Sequence, residues 1–228
     1  MRQFEDIVSK HKTILLLSGG MDSLLITALA HDRGDDLYAL FFDYGQKTNK
    51  KEKQCFNKIC DHYKIGQESR TILELDALKK IGGSSLTDSD INVEVELEKK
   101  SIPNSYVPFR NTIFLSFATS YAETINGNSL MIGAVLEDAL GYPDCRPEYY
   151  ATYNNLIRVA STCDSLKVET PIIRMTKAQI LNKCLELKAP LELSWSCYQS
   201  ETTPCNECDS CLLRAKAFAE IEAIDPLS

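Results

Sequence analysis

The chain has 228 residues, of which 44% are hydrophobic and 25% charged, and a formal net charge of −7. These values fit one globular core with at most a small appendage, and the acidic balance argues against a nucleic-acid partner, which needs clustered lysine and arginine. The longest apolar runs, ILLL and LYALFF, are too short to span a bilayer, and MRQFEDIVSKHK lacks the apolar stretch of a secretory signal, so a cytoplasmic protein without a membrane partner is expected.

In chain order, ILLL at 14–17 reads as a buried strand and SGGMDS at 18–23 as a tight turn. A helix follows over 22–33, with Leu25, Ala28 and Leu29 on one face and Gly34 as its C-terminal cap. A second strand is predicted over 37–42 (LYALFF) and a second helix over 48–63. The basic cluster KTNKKEK at 47–53 is read as a solvated helix face. Strand 70–75 comes next, and then 82–105 breaks the rhythm and is expected to be a long loop or lid over the site. Helix 110–124 places Ile113, Phe114 and Phe117 on its apolar stripe, and strand 129–134 follows it. The remaining elements are helix 147–161, strand 167–172, and helices 176–187 and 209–222. Each strand is short and apolar on both sides, as buried parallel strands are. Their alternation with helices implies a doubly wound α/β fold with a five-stranded parallel sheet. The expected division is residues 1–190 as the nucleotide domain and 191–228 as a small segment packed on it.

A turn stripped of side chains between strand and helix lets backbone N–H groups converge on an anion, with the helix N-terminus adding favourable charge. Leu17, Ser18, Gly19, Gly20, Met21, Asp22 and Ser23 would form that cradle, Ser18 and Ser23 donating hydroxyl hydrogen bonds and Asp22 capping the helix or holding a metal ion. The plainer reading is a helix-capping turn of small residues. No lysine follows the glycines, so this is not the phosphate loop of the common NTPases. The SGGxDS order resembles the pyrophosphate loop of ATP pyrophosphatases, which cleave ATP to AMP and pyrophosphate while adenylating an oxygen of their substrate. That resemblance implies ATP, magnesium bridging its phosphates, and the adenine nucleotide alpha hydrolase-like fold.

Near the end, Cys197, Cys205, Cys208 and Cys211 are spaced C-x7-C-x2-C-x2-C. Two overlapping CxxC turns can aim three thiolates at one point and the preceding loop supplies a fourth, which suits a closed, structural tetrahedral zinc site. An iron–sulfur cluster and a redox CxxC are the rivals. Cys55, Cys60, Cys145, Cys163 and Cys184 are scattered and read mostly as core positions.

FDYGQ at 42–46, YVPFRNTIFLS at 106–116, GYPDCRPE at 141–148 and WSCY at 195–198 with its three later cysteines, together with SGGMDS, resemble the 7-cyano-7-deazaguanine synthase family over nearly the whole chain. The resemblance implies conversion of 7-carboxy-7-deazaguanine, ammonia and ATP into the 7-cyano base, a queuosine precursor, through an amide and with adenylation at each stage. It implies a homodimer and small-molecule partners. Asp144 is then suited to the N1–H and amino edge of the base, or else to capping the turn after Pro143. Arg110 and Asn111 would contact phosphate or carboxylate, or only cap a helix. Arg146 and Lys177 would offset phosphate charge, Tyr142 and Trp195 would stack on the base, and Asp138 would belong to the base pocket. Catalysis would rest on Asp22, Ser23, Arg110 and Lys177.

The chain departs from the family pattern where Thr48 replaces a usual histidine and where Val135, Ala139 and Leu140 replace polar or aromatic residues beside the pocket. A second reading is therefore a paralogue that adenylates the deazaguanine acid and passes it to an amine of a partner protein. A tRNA-modifying transferase lacks its basic appendage here, and a zinc-stabilised nucleotide-binding module without turnover is at odds with an intact SGGMDS.

Overall fold

The structure, a computed structural model, describes residues 10–95, 102–136 and 141–228. Five strands form one all-parallel sheet: β1 (Lys12–Leu16), β2 (Asp36–Asp43), β3 (Arg70–Glu74), β4 (Ser129–Ile132) and β5 (Lys167–Glu169), in the order β3-β2-β1-β4-β5. Ile14 faces Tyr38 on one side and Leu130 on the other. The central strands are covered on both faces, so alternate side chains of β1 enter different cores. Leu15 and Leu17 pack with α1 (Met21–Asp32), α2 (Asn49–His62), α6 (Lys177–Glu186) and α7 (Asp209–Glu220). Ile14 and Leu16 pack with α3 (Asp76–Ile81), α4 (Arg110–Ile125) and α5 (Pro147–Ala160). The order reverses between β1 and β4, and the crevice outside the carboxyl ends of those strands is where an open α/β sheet binds ligands.

The predicted strands and six predicted helices are present within a few residues. The six-residue α3 was not expected from the sequence; it contributes only Leu78 to the core, too little for a periodic signal. On α4 the buried line is Asn111, Leu115, Ala118 and Ala122, while Phe117 is 44% exposed. Two alanines let α4 approach the sheet closely, and the bulkier Phe114 stacks instead on Phe42 at 4.2 Å. β4 stops at Ile132 because Gly133 lies against α1: a Cβ there would meet the carbonyl carbon of Asp22 at 2.9 Å.

The stretch expected to be a lid is anchored along its described part. Ser84, Ser85, Leu86 and Thr87 are buried. Ser85 donates from N–H and hydroxyl to the backbone and side-chain oxygens of Asn104, at 2.8 and 2.9 Å. Lys47 donates its N–H to Leu86 O and its ammonium to Ile91 O. No helix among the described residues is long and apolar enough to cross a membrane.

Candidate active site

The SGGMDS turn joins β1 to α1 at the sheet's switch point. Gly19 has φ +85°, and a Cβ there would come within 2.8 Å of Glu52 O and 2.9 Å of Cys55 Cβ, so only glycine lets α2 approach this closely. Ser23 Oγ donates to Gly20 O at 2.9 Å and receives Ser18 Oγ–H at 3.2 Å. Ser18 is exposed at the mouth, while the side chains of Leu17 and Met21 are buried in the core, leaving those two residues only their backbone to offer a ligand. The N–H of Trp195 donates to Gly19 O at 2.9 Å, which ties the turn to the C-terminal segment.

Lys177 opens α6, whose start is set by a capping box: Thr176 Oγ1 accepts from Gln179 N–H and Gln179 Oε1 accepts from Thr176 N–H. This places Lys177 Nζ 2.7 Å from Asp22 Oδ2. Asp22 Oδ1 is buried without a hydrogen-bond partner. A cation, a carboxylate with one unengaged oxygen and a helix N-terminus thus meet at one turn, the set of groups that binds a polyphosphate and its counter-ion.

A second wall comes from the start of α4. Asp144 sits in a 3-10 turn (Pro143–Cys145), is 5% exposed, and accepts the N–H of Asn111 through Oδ2 at 3.0 Å. Asn111 Nδ2 answers by donating to Asp144 O at 3.3 Å. YVPFRN and GYPDC are therefore clamped together, and Asn111 acts as the clamp. Asp144 caps a helix as well as lining the wall, with Oδ1 still available as an acceptor. Arg110 Nη1 donates to Tyr44 Oη at 3.1 Å, and its guanidinium lies over the rings of Tyr44 and Phe114. Burial opposes its charge, but Tyr44, Tyr142, Tyr198 and Cys145 around it hold its pKa above the ordinary arginine value. Tyr142 shares a 2.7 Å hydrogen bond with Ser105 and packs near Tyr106. Arg146 is exposed at the start of α5. Asp138, with Ala139 and Leu140, lies outside the described residues.

Between the two walls sits a residue hidden in the lysine-rich stretch. Glu52 Oε1 accepts from Thr48 Oγ1 at 2.6 Å and Oε2 from Gln46 Nε2 at 3.0 Å. Gln46 in turn accepts the N–H of Tyr44. Burial pushes the Glu52 carboxyl up, against the two hydrogen bonds and the charge of Arg110. KTNKKEK is thus only partly a solvated face. The DYGQ turn carried a signal that pointed here, but the glutamate followed three lysines and looked like one more surface charge.

The four clustered cysteines place their sulfurs within 4.8 Å of one another, with Cys205 Sγ 3.9 Å from Cys211 Sγ. Zn–S bonds of about 2.3 Å in a tetrahedron put sulfurs roughly 3.8 Å apart, so this geometry could hold zinc. The hydrogen bond from Cys208, with N–H groups of Cys205, Gln199 and Ser200, holds the Cys197 thiol well below its usual range. Trp195 is buried against this cluster, donates Nε1–H to Ser200 O and carries Lys51 over its ring at 4.4 Å. It braces the cysteine segment, where stacking on a base had been expected. Cys60 and Cys184 are buried and burial pushes each thiol up to about 12.

A family model described as "Queuosine biosynthesis protein QueC" matches residues 12–222. The chain is 50% identical over 218 residues to the 7-cyano-7-deazaguanine synthase of Chlorobaculum parvum, covering 95% of each chain. It is 49% identical over 218 residues to that of Chlorobium phaeobacteroides, covering 95% of this chain and 96% of the other. Among solved structures it is similar to an NMN synthetase from Francisella tularensis, with a TM-score of 0.50 and 14% identity over 95% of this chain and 79% of that one, a likeness of fold.

Proposed function

The chain belongs to the QueC family of queuosine biosynthesis proteins, and from that premise we propose that it is an ATP-dependent 7-cyano-7-deazaguanine synthase. It would join 7-carboxy-7-deazaguanine to ammonia, release AMP and pyrophosphate, and carry the amide on to the nitrile. The observation that carries this reading is the convergence of SGGMDS, DYGQ, FRN and GYPDC on one end of one sheet, with Lys177 brought to Asp22. A carboxylate is a poor electrophile, and transfer of adenylate to its oxygen supplies the leaving group. Adenylation needs charge stabilisation on the pyrophosphate that departs, which the SGGMDS N–H groups, Ser23 and Lys177 provide. Arg110 faces the acid, and Asp144 Oδ1 accepts from the guanine-like edge of the base, while Tyr142 and Arg146 border the same pocket.

The orphan Asp22 Oδ1 fits magnesium, which would neutralise phosphate charge when bound. Cys197, Cys205, Cys208 and Cys211 would hold zinc, which cross-links the segment that braces Gly19. The division into a nucleotide domain (1–190) and a zinc segment (191–228) follows from that role, and the protein would work as a homodimer in the cytoplasm. Purified protein given 7-carboxy-7-deazaguanine, ATP, magnesium and ammonium should yield the nitrile, AMP and pyrophosphate, read by mass spectrometry. No acid-dependent AMP would overturn the reading. Adenylate or amide without nitrile would revive conjugation to a partner protein, which the relatives named above do not favour.

A further inference from the structure

Making a nitrile from ammonia sheds all three N–H hydrogens as protons, so the reaction proposed above requires a proton acceptor beside the nitrogen. The chain has three histidines, and none is at the site. His11 precedes β1 and contacts Ser129 Oγ, while His31 and His62 end α1 and α2 and pack on Tyr63. Crossover helices run antiparallel to the strands, so their C-termini lie at the far edge of the sheet. Among the described carboxylates, Asp22 is paired with Lys177 and Asp144 holds the N–H of Asn111. Asp43 accepts from Gly45 N–H and Asn49, and Glu201 accepts from Lys50 N–H.

Glu52 is different. Its two hydrogen bonds come from neutral side chains, Thr48 and Gln46, and a relay through Gln46 and Tyr44 connects it to Arg110. Its backbone abuts the phosphate turn at Gly19. We propose that the Glu52 carboxylate accepts the protons lost by the nitrogen nucleophile, with Thr48 standing where the family pattern has an imidazole. In amide formation the ammonia lone pair attacks the acyl carbon, the C–N bond forms, the C–O bond to adenylate breaks with its electron pair leaving on AMP, and one N–H proton passes to Glu52. O-adenylation of the amide and loss of AMP each release one further proton by the same route. Between steps Glu52 returns its proton to solvent.

Four groups face this carboxylate: Arg110 from α4, Tyr44 from the end of β2, Cys55 one turn along α2, and Glu201 from the C-terminal segment. Burial is the largest influence and raises its titration, and Arg110 opposes it. The ionised form is the base, so amide formation per free ammonia should fall as pH drops through a pKa above the ordinary carboxylate range.

The inference rests on the function proposed above, and the test separates the two. Acid-dependent ATP–pyrophosphate exchange without ammonia reads adenylation alone; amide formation is measured in parallel across pH. Glu52→Gln keeps both hydrogen bonds if the Thr48 hydroxyl turns from donor to acceptor. It should keep exchange within about threefold while amide formation falls by about 100-fold or more and loses its acid limb. Thr48→Val removes a donor from the ionised carboxylate and should move the limb to higher pH with exchange preserved. Equal loss of exchange and amide in Glu52→Gln, or an unchanged limb in both variants, overturns the assignment. A wild-type protein without acid-dependent exchange overturns the function itself.

Discussion

Gly19 offers a quantitative test of how tightly the phosphate turn is packed. Alanine there must adopt φ +85°, a left-handed conformation that costs about 1–2 kcal/mol for a residue with a Cβ. It must also place that Cβ 2.8 Å from Glu52 O and 2.9 Å from Cys55 Cβ, atoms fixed to the α2 backbone that cannot swing away. Overpacking of this kind costs about 1–3 kcal/mol, giving roughly 2–5 kcal/mol in all. For a chain of this size that is about 5–15 °C in melting temperature. Two controls divide the sum. Gly34 has φ +81° and nothing within 4 Å of a Cβ, so Gly34→Ala should show only the conformational part. Gly20, at φ −80° with its nearest neighbour at 3.5 Å, should change stability by no more than about 1 kcal/mol. Trp195 is the sole tryptophan and binds the Gly19 carbonyl, so its fluorescence in a urea titration reports this region directly. If Gly19→Ala proved as stable as Gly34→Ala, the close seat of α2 on the turn would be wrong.

Replacing Cys208 with serine should release bound zinc, expected at one per chain by elemental assay, and lower the melting temperature; a metal-free wild type with the same melting curve would refute the structural role. Lys177→Met should leave melting within a few degrees, since a partly exposed ion pair contributes at most about 1 kcal/mol. Acid-dependent pyrophosphate exchange should nevertheless drop about 100- to 1,000-fold, and an unchanged exchange rate would remove Lys177 from the phosphate site. Alkylation of the native protein at pH 8 should modify the half-buried Cys163 well before Cys60 and Cys184, whose burial holds them as thiols until about pH 12. Because ionisation is favoured sooner in the unfolded chain, those two thiols weaken folding progressively as pH rises above about 9. Peptide mass mapping reads the order, and early loss of Cys184 would contradict its packing.

Much of the fold was legible because its strands carry continuous apolar runs and its helices begin or end at residues with a mechanical reason, such as Gly34 past α1 and Thr176 before α6. The phosphate turn was legible for the same reason: Gly19 and Gly20 are where a side chain would obstruct. What could not be read was partnership between distant segments. Asp144 carries a plain helix-capping job that depends on Asn111, thirty-three residues earlier in the chain. Trp195 looked like a stacking surface until its neighbours, Ser200 and Lys51, were known. Glu52 lay in a charged run, and only the arrival of Gln46 and Thr48 on its two oxygens turns it inward. Phe117 was assigned to the core stripe by period alone, when the close approach of Ala118 and Ala122 had rotated the face.

The hydrogen bond from Trp195 to Gly19 has a consequence in the order of synthesis. The ribosome makes the phosphate turn almost first, yet the group that holds its carbonyl is made almost last, after every strand of the sheet. A nascent chain can therefore pair its strands and bury Leu15 and Leu17 while Gly19 still lacks that restraint. Competence for ATP is a late event in the life of each molecule, set when the cysteine segment emerges and finds its metal. A cell short of zinc would accumulate chains with a formed sheet and an unfinished first turn.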